Sequence, residues 1–143
     1  MITMDNKTMN LLDQYGDAKV GHKSKMDKLR AELELCEQKR LLAIEYQKDL
    51  DKETARLMQE YEDIQAGKLK AIETDDVELL EELEEKEVII ESTIVNNVAT
   101  IKQLVALIDK LQEEQDVLNR KICELSNNYN NTLSNIKTAL LEI

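Results

Sequence analysis

The chain has 143 residues, 34% of them charged, and contains no Pro, Phe or Trp. Aromatic side chains normally supply much of a compact core, because each removes roughly 150–250 Å² from water. Leu, Ile, Val, Ala and charged residues, without a proline to end a helix, are typical of long helices and coiled coils. The composition therefore predicts an all-α protein and gives no support to a globular enzyme.

The net charge of −11 is concentrated in one part of the sequence. Residues 73–91 contain ten acidic residues and one lysine, whereas residues 19–30 contain five basic residues and one aspartate. An acidic chain is repelled by nucleic acid and by anionic membranes, so neither is an expected partner. No secretory signal and no membrane-length apolar stretch is found. We therefore expect a soluble intracellular protein, cytoplasmic or nuclear, in which Cys36 and Cys123 are free thiols.

In chain order, the first element predicted is a short helix within residues 1–21, ending at a break near Gly16 and Gly21. A first long helix is predicted over residues 22–73. Seven-residue spacing gives this part of the chain one mostly apolar column and a neighbouring column that turns polar in its middle. The apolar column consists of Tyr15, His22, Leu29, Cys36, Ala43, Leu50, Leu57, Ile64 and Ala71.

The heptad register slips between the two halves of the chain. Gly67 lies just before this point, and Thr74, Asp75 and Asp76 resemble a helix start, with further acids in the first turn. Two structures fit the slip. One is a helical hairpin that turns near residues 66–75, and the other is a single long helix that carries a stutter and pairs with a second chain. The Ile and Leu pattern that follows favours pairing between chains, and the long rod is slightly preferred.

The clearest pattern is one heptad register that begins at Leu80 and continues to residue 143, with residues 74–126 as its principal coiled-coil helix. Isoleucine dominates position a and leucine dominates position d, which favours two parallel strands in a left-handed supercoil. Asn97 at d and Gln115 at a are polar core positions that we expect to set the register. The predicted oligomerisation seam consists of Leu80, Leu83, Ile90, Ile94, Ile101, Leu104, Ile108, Leu111, Leu118, Ile122 and Leu125.

Two features modify this prediction. Val98 and Val105 at e, with Leu107 at g, widen the apolar stripe beyond what two strands require, so a third helix or an early helix of the same chain is expected there. Residues 126–131 include four asparagines and have poor helix propensity. The domain plan therefore ends with an Asn-rich break and a short terminal helix over residues 127–143.

No pattern in the sequence predicts catalysis, a cofactor or a metal. His22 has no Cys or His partner at metal-ligand spacing, no nucleophile elbow and no Gly-rich loop is present, and the acidic segment lacks the glycine of a calcium loop. We expect Cys36 to be a small core residue and Cys123 to face outward. The acidic residues offer a possible docking surface for a basic partner: Asp75, Asp76, Glu78, Glu81, Glu82, Glu84 and Glu85.

The sequence thus favours a non-enzymatic coiled-coil scaffold that forms homo- or hetero-oligomers and bridges or spaces protein partners. The alternative is a small acidic regulator or inhibitor that docks on a basic site of a nucleic-acid-handling protein. The basic run Lys19–Arg30 lacks the aromatic residues needed to stack on bases. It is therefore expected to meet the acidic segment of a neighbouring molecule.

Overall fold

A computed structural model describes residues 5–143 of the chain. This part of the protein consists of two helices, α1 (Asn6–Glu73) and α2 (Val77–Leu141), which form a hairpin without β-strands. The all-α prediction is confirmed. Of the two predicted arrangements the hairpin is present, and the preferred continuous rod is wrong because the chain reverses after Glu73. The heptad register as a coiled-coil register stays a prediction.

The reversal is produced by a three-residue turn, Thr74–Asp76. The Asp76 amide donates to the Ala71 carbonyl (2.9 Å), and the Asp75 amide donates to the Ile72 carbonyl (3.3 Å). Together these bonds form a Schellman motif, in which the residue after the helix adopts the left-handed conformation. Here that residue is Asp75, with φ of 50°. A residue other than glycine therefore adopts the left-handed backbone conformation, which is unfavourable for residues with a side chain, at the point where the chain reverses.

The same turn starts α2. The Asp76 carboxylate accepts a hydrogen bond from the Leu79 amide (3.1 Å), and its carbonyl accepts one from the Leu80 amide (3.1 Å). Asp76 is therefore the N-cap of α2, and Glu78 places a further negative charge in the first turn. The predicted helix start at residues 74–78 is present, with Asp76 as its cap.

The two predicted interruptions are not found. Helix α1 passes through Gly16 and Gly21, and α2 passes through the Asn-rich residues 126–131 to Leu141. A Cβ atom added at either glycine would meet nothing within 4 Å, so these glycines serve no close approach. Glycine in a helix costs roughly 1 kcal/mol relative to alanine. A cost of this size lowers helix stability locally without ending a helix that is packed along its length.

Residues of the described chain fall into two compact units, each built from parts of both helices. One unit combines residues 5–38 with Leu111–Ile143, and the other is Lys39–Lys110. The second, which contains the turn, has a core of Leu57, Ile64 and Ile90 against which Tyr61, Leu83 and Ile94 pack. The helices approach closely at Gly67, where an added Cβ would lie 3.1 Å from Leu83 Cδ1.

In the unit built from residues 5–38 and Leu111–Ile143, Met26, Cys36, Leu111 and Ile136 are buried. The Cys36 thiol donates to the Leu111 carbonyl across the two helices (3.2 Å). A satisfied, buried thiol of this kind behaves as a small core residue. Cys123 is exposed, and both cysteines are free.

The turn predicts opposite effects for two adjacent aspartates. Asp75→Gly should raise the free energy of unfolding by about 0.5–1 kcal/mol, because glycine removes the left-handed strain. Asp76→Ala should lower it by about 1 kcal/mol, because the N-cap acceptor is lost. Asp76→Asn, which keeps an acceptor, serves as the control and should lie close to the wild type. Urea unfolding followed by circular dichroism measures all three, and a destabilised Asp75→Gly variant would contradict this account of the turn.

Candidate helix-docking surface

The residues of the predicted oligomerisation seam lie on the side of α2 that the rest of the chain shields, at least partly, from solvent. Ile90, Asn97 and Leu111 are buried, and the other predicted seam positions are half-buried. The apolar column of α1 behaves in the same way: Cys36, Ala43, Leu50, Leu57, Ile64 and Ala71 are all buried. The two columns therefore supply each other's cover in the hairpin, and the role of the α2 seam in joining separate chains stays a prediction.

Two polar interruptions of the α2 seam have partners on α1. Glu87, at an a position, accepts a charged hydrogen bond of 2.6 Å from Lys68 Nζ, and both side chains are mostly shielded from solvent. Gln115, the other polar a position in this part of the seam, donates through Nε2 to Glu37 Oε1 (3.1 Å). Long polar side chains on α1 thus satisfy polar positions on α2, which ties these parts of the seam to the hairpin arrangement.

Asn97 has no such partner. It is buried, and its Nδ2 atom makes no hydrogen bond within the described chain. Thr54 on α1 is buried too, and its hydroxyl is likewise unpaired there. Leu57 and Ile94 belong to one packed cluster. In antiparallel helices, Thr54 and Asn97, each three residues farther from the turn, therefore lie at a similar level of the hairpin. The middle of the seam therefore contains a polar layer whose burial is uncompensated, at a cost of roughly 1–3 kcal/mol for each such group.

The surface that stands out is on the outer side of α2 in the Lys39–Lys110 unit. From Ser92 to Ile101 the helix has no charged residue, and from Val88 to Ile108 it has only Glu91 and Lys102. A helix with so little charge around its circumference is normally buried on more than one side. Helix α1 covers only one side. Val88 and Val95 remain 66% and 65% exposed, and Val98 and Val105 remain 37% and 42% exposed.

These four valines, named here the valine face (Val88, Val95, Val98 and Val105), lie along one side of the helix. At 3.6 residues per turn they fall within an arc of about 100°. Glu91 and Lys102 lie within the same arc, and both are exposed. Glu91 is also near the Tyr61 hydroxyl on α1: burial raises the pKa of Tyr61, and the negative charge of Glu91 raises it further.

The sequence predicted half of this face. Val98 and Val105 are apolar positions beyond the a and d columns, where another helix is expected, yet both stay exposed beside α1. Val88 and Val95 were not predicted, because they occupy b positions outside the a and d columns. The b and e positions of the same heptad would have revealed the face.

The residues of the predicted acidic docking surface are solvent-accessible. Asp75, Asp76, Glu78, Glu81, Glu82, Glu84 and Glu85 are all exposed. The Asp76 carboxylate caps α2, so the carboxylates of this surface without a structural role in the turn are those of Asp75 and the five glutamates. In the other unit, the five basic residues of Lys19–Arg30 are exposed as well.

The unit that contains the termini has a second apolar surface. An open groove of about 450 Å³ is lined by Leu12, Tyr15, Leu133, Ile136, Lys137, Leu140 and Leu141. Nearby along the hairpin, His22 stacks on Tyr129 with ring centroids 4.0 Å apart and an interplanar angle of 10°. The histidine is thus half-buried between the helices, as expected for a residue that faces the seam.

Within residues 5–143, no group of three or more His, Cys, Asp and Glu side chains is placed to hold a metal ion. Neither helix in this part of the chain has a stretch that is apolar and long enough to cross a membrane.

Comparison with known proteins gives no relative. No family model matches the sequence, and the searches of curated proteins and of solved structures return no match. The function must therefore be inferred from the surfaces of the hairpin itself.

The unpaired polar layer predicts a stabilising substitution. Asn97→Leu should raise the free energy of unfolding by about 1–2 kcal/mol, because it removes a buried donor that has no acceptor. Asn96→Leu is the matched control: Asn96 is exposed, and its replacement should change stability by less than about 0.5 kcal/mol. Thermal unfolding of wild type and both variants measures these changes in stability. A loss of stability in Asn97→Leu would show that the amide is satisfied in solution.

The Lys68–Glu87 pair predicts a pH dependence. The hydrogen bond from Lys68 lowers the pKa of Glu87 below its ordinary value of 4.5, and the bond to Glu87 raises the pKa of Lys68 above 10.5. The stabilisation from Glu87 is present above its ordinary pKa and is lost as the pH falls below it. That from Lys68 is present below its ordinary pKa and is lost as the pH rises above it.

The measurement compares wild type with Lys68→Met/Glu87→Leu, in which apolar side chains replace both partners. The melting temperature of the double variant, relative to that of wild type, should be higher at about pH 3 than at about pH 7. The reason is that wild type loses the ion pair when Glu87 is protonated, below the ordinary glutamate range. The single variant Lys68→Met, which leaves the Glu87 carboxylate shielded and without its ammonium partner, should be the least stable at pH 7. An unchanged difference between the two pH values would mean that the pair does not contribute in solution.

Proposed function

We propose that the protein is a non-enzymatic scaffold that joins helical protein chains, and that the valine face is its principal docking surface. The observation that carries this proposal is the exposure of four valines on a helix segment almost without charge. Contiguous exposed apolar surface on a soluble protein commonly marks an interaction site. Assembly through this face bridges partners while the hairpin itself stays closed.

The form of the surface supports a helical partner. Its apolar side chains recur at intervals of three, four and seven residues along α2, and a narrow stripe of this kind packs best against another helix with a matching stripe. A small-molecule site would instead be concave and enclosed. The partner expected here is another amphipathic helix, either from a copy of this chain or from a different protein.

The acidic-regulator alternative depends on the glutamates of α2. Glu78, Glu81, Glu82, Glu84 and Glu85 are exposed and available to a basic partner. Exposed charge pairs contribute little affinity by themselves, about 0–1 kcal/mol each, and steer association more than they stabilise it. We therefore propose the acidic residues as an aid to orientation beside the apolar docking face.

The test is the double variant Val95→Glu/Val98→Glu. Light scattering should show wild type in oligomers or in complexes with a helical partner, and the double variant as a monomer. The reason is that burying an unpaired carboxylate in an apolar contact is strongly unfavourable. The matched control is Leu69→Glu, which alters a residue that is 65% exposed on α1 of the same unit and should leave association unchanged. Circular dichroism should show equal helicity in all three.

A wild-type chain that remains monomeric at every concentration, and that retains the same proteins from cells as the double variant does, would overturn the proposed function.

A further inference from the structure

The valine face is self-complementary. Val88, Glu91, Val95, Val98, Lys102 and Val105 follow one another at intervals of three, four, three, four and three residues. This spacing is the same in either direction along the helix. It is also the three–four alternation by which two helices interlock, here at b and e positions in place of a and d.

Consider a second α2 that packs antiparallel on this face, with the two-fold axis beside the midpoint between Asn96 and Asn97. Each valine then lies opposite a valine, and each charged residue lies opposite one of the other sign. Val88 lies opposite Val105 of the other copy, and Val95 lies opposite Val98. Glu91 lies opposite Lys102, and because the contact is two-fold this ion pair forms twice. An isologous contact of this kind, in which one patch serves both subunits, is the commonest basis of soluble dimers.

The charges also exclude the other orientation. In a parallel, in-register pair, Glu91 would face Glu91 and Lys102 would face Lys102, and like charges across an interface are repulsive. The next outward positions of the antiparallel arrangement would bring Glu84 opposite Asp109, and both residues are exposed. This second repulsion confines the contact to residues 88–105, which span about 26 Å of helix.

We infer that the partner of the valine face is a second copy of this chain, bound antiparallel through α2 so that Glu91 of each copy pairs with Lys102 of the other. This inference rests on the proposed function and names its partner. The contact joins two hairpins, each of which keeps its own α1. Because the face is short, its area lies at the low end for specific interfaces, so the dimer forms and dissociates with protein concentration.

Charge reversal tests the inference on the full-length chain. Glu91→Lys sets a new lysine opposite Lys102 at both ends of the contact, and Lys102→Glu sets a new glutamate opposite Glu91 at both ends. Each single variant should weaken the dimer at least about tenfold, because like charges replace both ion pairs. The double variant Glu91→Lys/Lys102→Glu restores opposite charges at both places and should recover the wild-type dissociation constant. Sedimentation equilibrium measures all four.

Two controls keep the outcome specific. Glu85→Lys and Lys86→Glu reverse exposed charges of the same helix outside the valine face and should leave the dimer unchanged. Because Glu91 is near Tyr61, Glu91→Lys alters a contact with α1 as well. Lys102→Glu does not share that contact, so both single variants must weaken the dimer for the inference to stand.

The possible failures are distinguishable. Dimers that persist in both single variants would place the contact elsewhere. Loss in the single variants without recovery in the double variant would overturn the antiparallel register. A monomeric wild type would overturn the second copy as partner. In that case, retention of a different helical protein by wild type and not by Val95→Glu/Val98→Glu would still support the scaffold function.

Discussion

The short turn between the helices decides which residues of α1 and α2 can meet. The connection Thr74–Asp76 has only three residues, so the position where α1 ends fixes the position where α2 begins. From this point the antiparallel pairing follows residue by residue: Lys68 reaches Glu87, and Leu57 packs in one cluster with Ile94. The short turn and the apolar columns therefore favour the same register.

That register has a cost in the middle of the seam. The α1 positions that alternate with its buried column include Arg40, Gln47 and Thr54, whereas the α2 seam remains rich in Ile and Leu over the same stretch. Arg40 Nε and the Thr54 hydroxyl are buried without partners in the described chain. The surface of α1 that packs on the α2 seam is thus more polar than the seam itself. The stability of the hairpin must depend more on the turn and on the well-packed layers beside it, at Leu57, Ile64 and Ile90.

The sequence predicted an all-α chain, a hairpin turn near residues 66–75 as one of two arrangements, and the apolar column of α1 that is buried from Cys36 to Ala71, because these depend on periodicity and capping. It did not predict which chain covers the α2 seam. Isoleucine at a and leucine at d describe a face and its geometry, and the same face is covered equally well by α1 or by another molecule. The glycines at 16 and 21 and the asparagines at 126–131 misled for a related reason: local propensity is worth about 1 kcal/mol or less per residue, and packing along the helix outweighs it.

The valine face shows why a single heptad register is too little to describe α2. One set of positions, a and d, is at least partly covered in the hairpin, and a second set, b and e, exposes Val88, Val95, Val98 and Val105 to solvent. A helix that presents two apolar stripes is built for two neighbours, and the chain supplies only one of them. In the antiparallel dimer that we infer, Glu91 of each copy pairs with Lys102 of the other, and Glu84 would face Asp109 of the other copy just beyond the valine face. Residues 88–108, which carry only two charges, lie between Glu87 and Asp109, and in the inferred dimer the acidic residues beyond the valine face would confine the contact to one pair of helices.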